Sequence, residues 1–221
     1  MANSDFTRTR DQIITAALRK LGAIATGGTP TANQISDGAE ALNMLVKAWQ
    51  NIGVRLWTVE WAYQTLASGT SKYYMDPILD IQKAFVRRGT NDYNVEVLDM
   101  VRYFDIPDKT DSGMVQVLAF DPIFNSPEIT VWPIPDNSTD VLHFLQVRRL
   151  QDFDATGDKP DFPARWISAL TWSLASELAP EYGLPLELRQ DLTGRGAAYL
   201  EMAIRGEKAQ GPSGDFIEGA Y

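Results

Sequence analysis

With 221 residues, 44% of them hydrophobic, the chain can bury a core as one large domain or two small ones, which argues against wholesale disorder. A formal charge of −9 argues against a protein that grips phosphate backbones, since that concentrates Lys and Arg, although a negative wall suits a conduit past which DNA slides. The lack of cysteine removes disulfides, thiolate zinc sites and a cysteine nucleophile, and it fits a reducing compartment.

The opening residues, Met1 to Gln12, hold no apolar run of the signal-peptide kind. No stretch approaches the ~18 apolar residues of a membrane span. The expected place of manufacture and use is a cytosol, unless a larger particle carries the protein out.

Thr9-Arg10-Asp11-Gln12 reads as a capping box, and Ile13, Ile14, Ala17, Leu18 and Leu21 follow at helical spacing up to Gly22. Gly27-Gly28-Thr29-Pro30 is a loop. Thr31-Ala32-Asn33-Gln34 repeats the box, and Ile35, Ala39, Leu42, Leu45, Val46 and Trp49 form a long stripe that Gly53 ends. The spacing predicts an antiparallel helical hairpin over 1–55. Trp49 belongs to the buried stripe. Trp57 and Trp61 lie past Gly53, where alternation sets Leu56, Thr58 and Glu60 against Trp57, Val59 and Trp61. They are expected to weld the helical zone to the next, or to reach a neighbouring subunit.

Residues 56–150 read as strand-rich. Candidate strands are Ser71–Tyr74, Gln82–Arg87, Val115–Phe120, Glu128–Trp132 and Asp140–Arg148, parted by Gly69, Pro77, Gly89, Pro122, Pro127 and a Pro133-Ile134-Pro135-Asp136 corner. Leu98–Ile106 suits a short helix with Met100, Val101 and Phe104 on one face. Over 151–205 the pattern turns helical again. Asp161 is the expected cap of a helix bearing Trp166, Ile167, Leu170, Leu174 and Leu178, closed by Pro180 and Gly183. A last helix runs from about Pro185 to Arg205 through Leu188, Leu192, Leu200 and Ile204, with Gly194 and Gly196 either weakening it or allowing a close crossing. Residues 206–221 are polar and glycine-rich, yet carry Phe216, Ile217 and Tyr221, and are expected to form an extended tail. The expected fold class is α+β: a helical bundle built from both ends of the chain, with a strand-rich insertion.

Chemistry is scarce. The one histidine, His143, sits in the strand-like VLHFLQV without a G-x-S-x-G, which suits a satisfied structural residue better than a catalyst. Asp152-Phe153-Asp154-Ala155-Thr156-Gly157-Asp158 matches the front half of a calcium loop, but position twelve is Pro163 instead of Glu. The same residues resemble the D-x-D-x-T of haloacid-dehalogenase-type phosphatases, without the apolar strand that motif needs. The plainer reading is an acidic solvated loop. Gly27-Gly28 lacks phosphate-loop spacing. Arg87-Arg88 and Arg148-Arg149 are isolated basic pairs, read as strand ends or intersubunit ion-pair donors before nucleic-acid patches. With 29 acidic residues, a pair of carboxylates carries no information about glycan hydrolysis. No catalytic, cofactor or metal residue is assigned.

The segments Arg10-Asp11-Gln12-Ile13-Ile14, Ala17-Leu18-Arg19-Lys20-Leu21-Gly22, Leu42-Asn43-Met44-Leu45-Val46-Lys47-Ala48-Trp49 and Gly53-Val54-Arg55-Leu56-Trp57 together resemble the head-to-tail adaptor proteins of short-tailed phages, also called tail accessory or packaged-DNA stabilisation factors. Trp132-Pro133-Ile134-Pro135-Asp136 resembles them too. So does Asp161-Phe162-Pro163-Ala164-Arg165-Trp166 leading into Ala169-Leu170 and Leu174-Ala175-Ser176-Glu177-Leu178-Ala179. The resemblance covers residues 10–205 and lies in the order of the motifs, with a longer strand zone than the smallest members have. It implies a structural virion protein of the neck or tail, assembled in the bacterial host cytoplasm. Copies, twelve in the family, would dock beneath the portal protein, extend the DNA channel and present the attachment surface for a downstream nozzle-type tail protein. DNA would pass without specific binding, and no catalytic residue or cofactor is implied. Arg205, Lys208, Phe216, Ile217 and Tyr221 are the expected portal contacts, and Trp57, Trp61, Arg148 and Arg149 the expected subunit or domain interface. The alternatives are another neck or tail-tube ring protein and a tail-associated glycan hydrolase.

Overall fold

Helix α1 (Arg10–Lys20) begins where Thr9 and Gln12 exchange hydrogen bonds: the Thr9 hydroxyl accepts the Gln12 N–H at 3.4 Å, and Gln12 Oε1 accepts the Thr9 N–H at 3.1 Å. Helix α2 (Ala32–Asn51) starts the same way, with Thr31 and Gln34 exchanging bonds of 3.3 and 2.9 Å. These reciprocal bonds occupy amides that a helix start leaves without partners. The computed structural model describes residues 7–51, 58–123 and 126–210, with the side chains of 51 and 208–210 excepted. The protein mixes helix and strand. It divides into two compact units, one made of Met1–Leu56 with Leu150–Tyr221 and one of Trp57–Arg149.

In the helical unit α1 buries Ile13, Ile14, Ala17 and Leu18, and α2 buries Ala41, Leu42, Val46 and Trp49. The two helices approach so closely that a Cβ on Gly38 would lie 2.5 Å from Ile14 Cγ2. Only glycine permits that spacing. A single 3-10 turn (Ala164–Trp166) leads into α4 (Ile167–Leu178); α3 lies in the other unit. Helix α4 buries its expected stripe and packs on α1, α2 and the long α5 (Leu186–Gln210). Trp49, Phe162 and Trp166 form one aromatic knot, with Trp49 centroids 6.1 Å from Phe162 and 5.7 Å from Trp166. Where α5 crosses α4, a Cβ on Gly196 would meet Ser173 Cα at 3.3 Å, so this glycine permits a close crossing; Gly194 faces open space.

Three expectations are corrected here. Asp161 is not the helix cap: Pro163 holds that position with ψ 150°, and no side chain caps the turn. Proline holds its predecessor extended, so the turn opens after it. Leu188, one of the apolar residues that marked the expected helix, does not join its buried stripe: it is 54% exposed, whereas Leu192 and Ala203 are buried. The helix also runs on through 206–210, where an extended tail was expected. Its extra turn is anchored: the buried Glu207 carboxylate accepts bonds from Arg165 Nε at 2.8 Å and Trp166 Nε1 at 3.1 Å.

The other unit is built on one seven-stranded sheet in the order β1-β9-β3-β4-β6-β7-β2. Its strands are β1 (Val59–Thr65), β2 (Lys72–Tyr74), β3 (Ile78–Arg88), β4 (Asn91–Leu98), β6 (Val117–Asp121), β7 (Glu128–Trp132) and β9 (Val141–Arg148). All neighbours are antiparallel except β4 and β6. A small parallel pair, β5 (Ser112–Gly113) with β8 (Ile134–Pro135), occupies the proline corner. The inner face buries Val86, Leu118, Ile129, Val131, Leu142 and Phe144. Strands β1 and β4 were absent from the expected set, and β3 is longer than its expected 82–87. Polar Asn91, Asp92, Asn94 and Glu96 hide β4, which pairs with β3 across the Gly89 turn (φ +63°). Helix α3 (Met100–Phe104) is capped by Asp99, and its buried residue is Tyr103, while Val101 and Phe104 of the expected apolar face are 75% and 70% exposed.

Candidate interaction surface

The sheet presents an aromatic row outward. Register sets Tyr63 opposite His143 and His143 opposite Phe85, so one residue from each of β1, β9 and β3 shares a face. Trp61 stands one pair along, opposite Leu145. Trp61 meets Phe85 edge-on at 5.5 Å and His143 at 5.7 Å, while Phe85 and His143 stack at 4.9 Å and 20°. Trp61 is nevertheless 61% exposed and Tyr63 69%. A strand places every second side chain on one face, which is how T-V-E-W-A-Y delivers Trp61 and Tyr63 together.

His143 is fixed in one tautomer. Trp61 Nε1–H donates to its Nδ1 at 3.1 Å, so in the neutral ring the proton sits on Nε2. Burial pushes the imidazole below the usual histidine range, and the Arg87 guanidinium pushes the same way against a weaker pull from Asp92. Arg87 lies 5.5 Å from the Phe85 ring centre and binds Asp92 through two bonds of 2.6 and 2.7 Å. That pairing holds Asp92 below the ordinary carboxylate range. The face is therefore aromatic, with its charges paired and a neutral imidazole at its centre. It can bury apolar area against a partner, and stacked or edge-on rings keep its shape fixed while it does so.

The basic pairs are held within the chain. Arg88 reaches two carboxylates: Nε and Nη2 bond Asp140 at 2.9 and 2.7 Å, and Asp136 accepts from the same guanidinium. Asp140 is buried, and its hydrogen bonds, with those of Asp136, hold the Arg88 guanidinium more firmly protonated than usual. Arg87-Arg88 thus clamps a hairpin and a turn. Arg148 pairs with Glu60 at 3.5 Å and donates to the Arg149 carbonyl at 3.3 Å. Both arginines are half-buried at the end of β9.

Among the expected portal contacts, Arg205 is an exposed residue of α5 paired with Glu201 one turn back. Lys208 lies on the last turn of that helix, with its side chain outside the described residues, as are Trp57, Phe216, Ile217 and Tyr221.

The acidic loop is a strap. Asp152 pairs with Lys47 at 2.7 Å, and Asp158 Oδ2 accepts the Ala155 N–H at 2.6 Å. Arg10 donates its N–H to the Asp158 carbonyl at 2.8 Å and its guanidinium to the Asp154 carbonyl at 3.2 Å. The Asn43 amide accepts the Phe153 N–H at 2.9 Å and donates to its carbonyl at 3.4 Å, which seats the buried Phe153 ring. The loop thereby ties α1 to α2. Among the described residues no three His, Asp or Glu side chains converge as metal ligands, and no helix is long and apolar enough to cross a membrane.

Tyr63 and Phe85 escaped the sequence reading. Extending the Trp57, Val59, Trp61 alternation by one step reaches Tyr63, whereas Phe85 joins the face only through a pairing that no local pattern encodes. No family model and no curated protein matches the chain.

Proposed function

We propose that the chain is a structural virion protein, a head-to-tail adaptor. In this reading copies form a ring under the portal of a short-tailed phage, lengthen the DNA channel and give the tail its attachment surface. The helical unit is a bundle drawn from both ends of the chain, and the sheet unit is its insertion. Support comes from the resemblance in motif order and from the division of the chain, in which residues on either side of the sheet belong to one unit.

The observation that carries the reading is the outward aromatic face. A Trp and a Tyr more than half exposed beside a stacked Phe85–His143 pair form an apolar patch of the kind that marks a partner site. In a closed ring each subunit offers two different faces, one to each neighbour. The aromatic face serves as one of them, with the exposed Trp61 as its largest contact. The net charge of −9 suits a lumen that DNA must leave freely.

Negative-stain electron microscopy of the chain with its cognate portal ring tests this. The comparison is a chain ending at Gln210, because a cut at Gly206 would remove Glu207 and with it the anchor of α5. Density beneath the portal from the full chain, lost in the shorter one, is the expected result. Well-folded protein that adds no density in either form overturns the reading.

A further inference from the structure

A cavity of about 280 Å³ opens in the helical unit beside Trp172. One wall is apolar, formed by Leu184, Leu188 and Leu192. Its mouth is cationic: Lys20 Nζ lies 3.8 Å from the Trp172 ring centre and the Arg195 guanidinium 5.2 Å. Tyr199 stacks on the same indole, 6.2 Å away and 6° from parallel, and holds it in place. Asp191, paired with Arg195 at 2.9 Å, is the one carboxylate lining the cavity. Arg8 and Arg195 both act on Lys20, and with burial as the larger cause they lower its proton affinity. Two cations, Lys20 and Arg195, line the cavity against one carboxylate, Asp191, which in a chain of net charge −9 suits an anionic guest. The volume falls below the usual range for a cofactor, roughly 300 Å³ and above, and suits an apolar side chain or two flanked by acids.

We infer that this cavity receives the Asp215-Phe216-Ile217-Glu218 stretch of a second copy of the chain. That stretch has two apolar residues with an acid at each end, the complement of an apolar wall with a basic mouth. Its own copy cannot carry it to the Leu188 end of that wall. From Leu188 to Gln210 the α5 axis extends about 33 Å at ~1.5 Å per residue. From Gln210 to Phe216 a fully extended chain covers at most about 21 Å. Leu192 lies only about 27 Å from Gln210, but even with its side chain added the phenyl ring stops short of Leu188 in its own copy, so filling the whole wall takes a neighbour. The portal reading uses the same residues, so the cavity is where they sit before the portal is met. The inference rests on that reading only in taking copies of the chain to associate.

The chain has no cysteine, which makes engineered thiols unambiguous. Full-length Leu188→Cys and a differently tagged full-length Phe216→Cys are mixed without portal and mildly oxidised. Heterodimers are then timed on a non-reducing gel. Met202, 66% exposed on the same helix, provides the reference thiol as Met202→Cys. The Leu188→Cys pairing is expected to form about tenfold faster than the Met202→Cys pairing, because docking raises the local concentration of the thiol. Adding Lys20→Glu and Arg195→Glu to the Leu188→Cys copy removes the excess. Asp215→Lys with Glu218→Lys on the other copy removes it too and leaves the cavity intact. Equal rates for the Leu188→Cys and Met202→Cys pairings, or an excess that survives both charge reversals, overturn the inference. Cross-linking without density beneath the portal would sink the adaptor reading and keep the cavity; density without cross-linking would do the reverse.

Discussion

The helical unit and the sheet unit solve the same problem in opposite ways. The helical unit turns Trp49 and Trp166 inward, 3% and 0% exposed, and short polar straps from Arg10, Asn43 and Lys47 hold its connecting loop. The sheet unit buries aliphatic residues and Phe144 on one face and displays Trp61 and Tyr63 on the other. Close backbone approach gives the first unit its cohesion. In the second, cohesion comes from the strand ladder and one arginine clamp. The same residue type therefore means core in one unit and surface in the other, and tryptophan content alone could not distinguish them.

The clamp is where the sheet unit breaks most easily. Arg88→Ala leaves the Asp140 carboxylate buried without its cation, which costs about 3 kcal/mol. Urea titration should show the midpoint falling with the slope unchanged. Arg88→Lys recovers only part, since one ammonium cannot serve Asp140 and Asp136 with a planar fork. A midpoint unmoved by Arg88→Ala would mean that the ladder alone holds the turn.

The matching break in the helical unit is Gly38→Ala. Alanine improves helix propensity by about 1 kcal/mol, but its methyl would sit 2.5 Å from the branched, stiff Ile14 Cγ2. Overpacking costs about 1–3 kcal/mol, so the net effect is a loss of about 1 kcal/mol, read as a lower melting temperature by far-ultraviolet dichroism. Ile14→Ala alone costs about 2–5 kcal/mol as a core truncation, so relief of the clash is read as coupling: the double variant should lose less than the sum of the two single losses. If Gly38→Ala stabilises the protein, the two helices are held less tightly than the contact implies. Comparing the two variants also asks whether the units unfold together. A single shared transition in both would show one cooperative fold, and separate transitions two.

Helix existence and most burial in α1, α2 and α4 were legible because a 3.6-residue stripe and a capping box are local signals. The Thr9 and Thr31 boxes, Trp49 in the core and the stripe from Trp166 to Leu178 all stand where the pattern puts them. Less was legible in the sheet. Strand β4 carries Asn91, Asp92 and Asn94 because its first four residues, next to the Gly89 turn, face water, and its apolar Val95, Val97 and Leu98 come late. The run of α5 past Arg205 depends on Glu207 meeting Arg165 and Trp166, a contact across some forty residues of sequence. The aromatic face has the same origin. Trp61 and Tyr63 are near in sequence, but Phe85 and His143 join them only through strand order, which a single strand does not encode.

The smallest expected effect bears on that face. His143 has a depressed proton affinity in the folded protein, chiefly from burial and then from Arg87. The unfolded chain then binds its proton first as pH falls. Its contribution to stability is complete above the ordinary histidine value of about 6.5 and is lost as pH drops from there through the folded value. Protonation puts a proton on Nδ1, which ends its role as acceptor for Trp61 Nε1–H. Acidification from neutrality should therefore lower the melting temperature modestly and loosen Trp61 at the same pH. The chain has one histidine, so a single imidazole resonance reports the titration directly. His143→Gln keeps an acceptor near the indole and cannot titrate. It should flatten the histidine part of the pH dependence while leaving the carboxylate part at lower pH, where Asp92 and Asp136 begin to protonate. An imidazole that titrates at or above the ordinary value would show that the aromatic row does not shield it. If the face is covered in a ring, the same titration in assembled protein should move lower still, because covering removes water from the one exposed side of the stack.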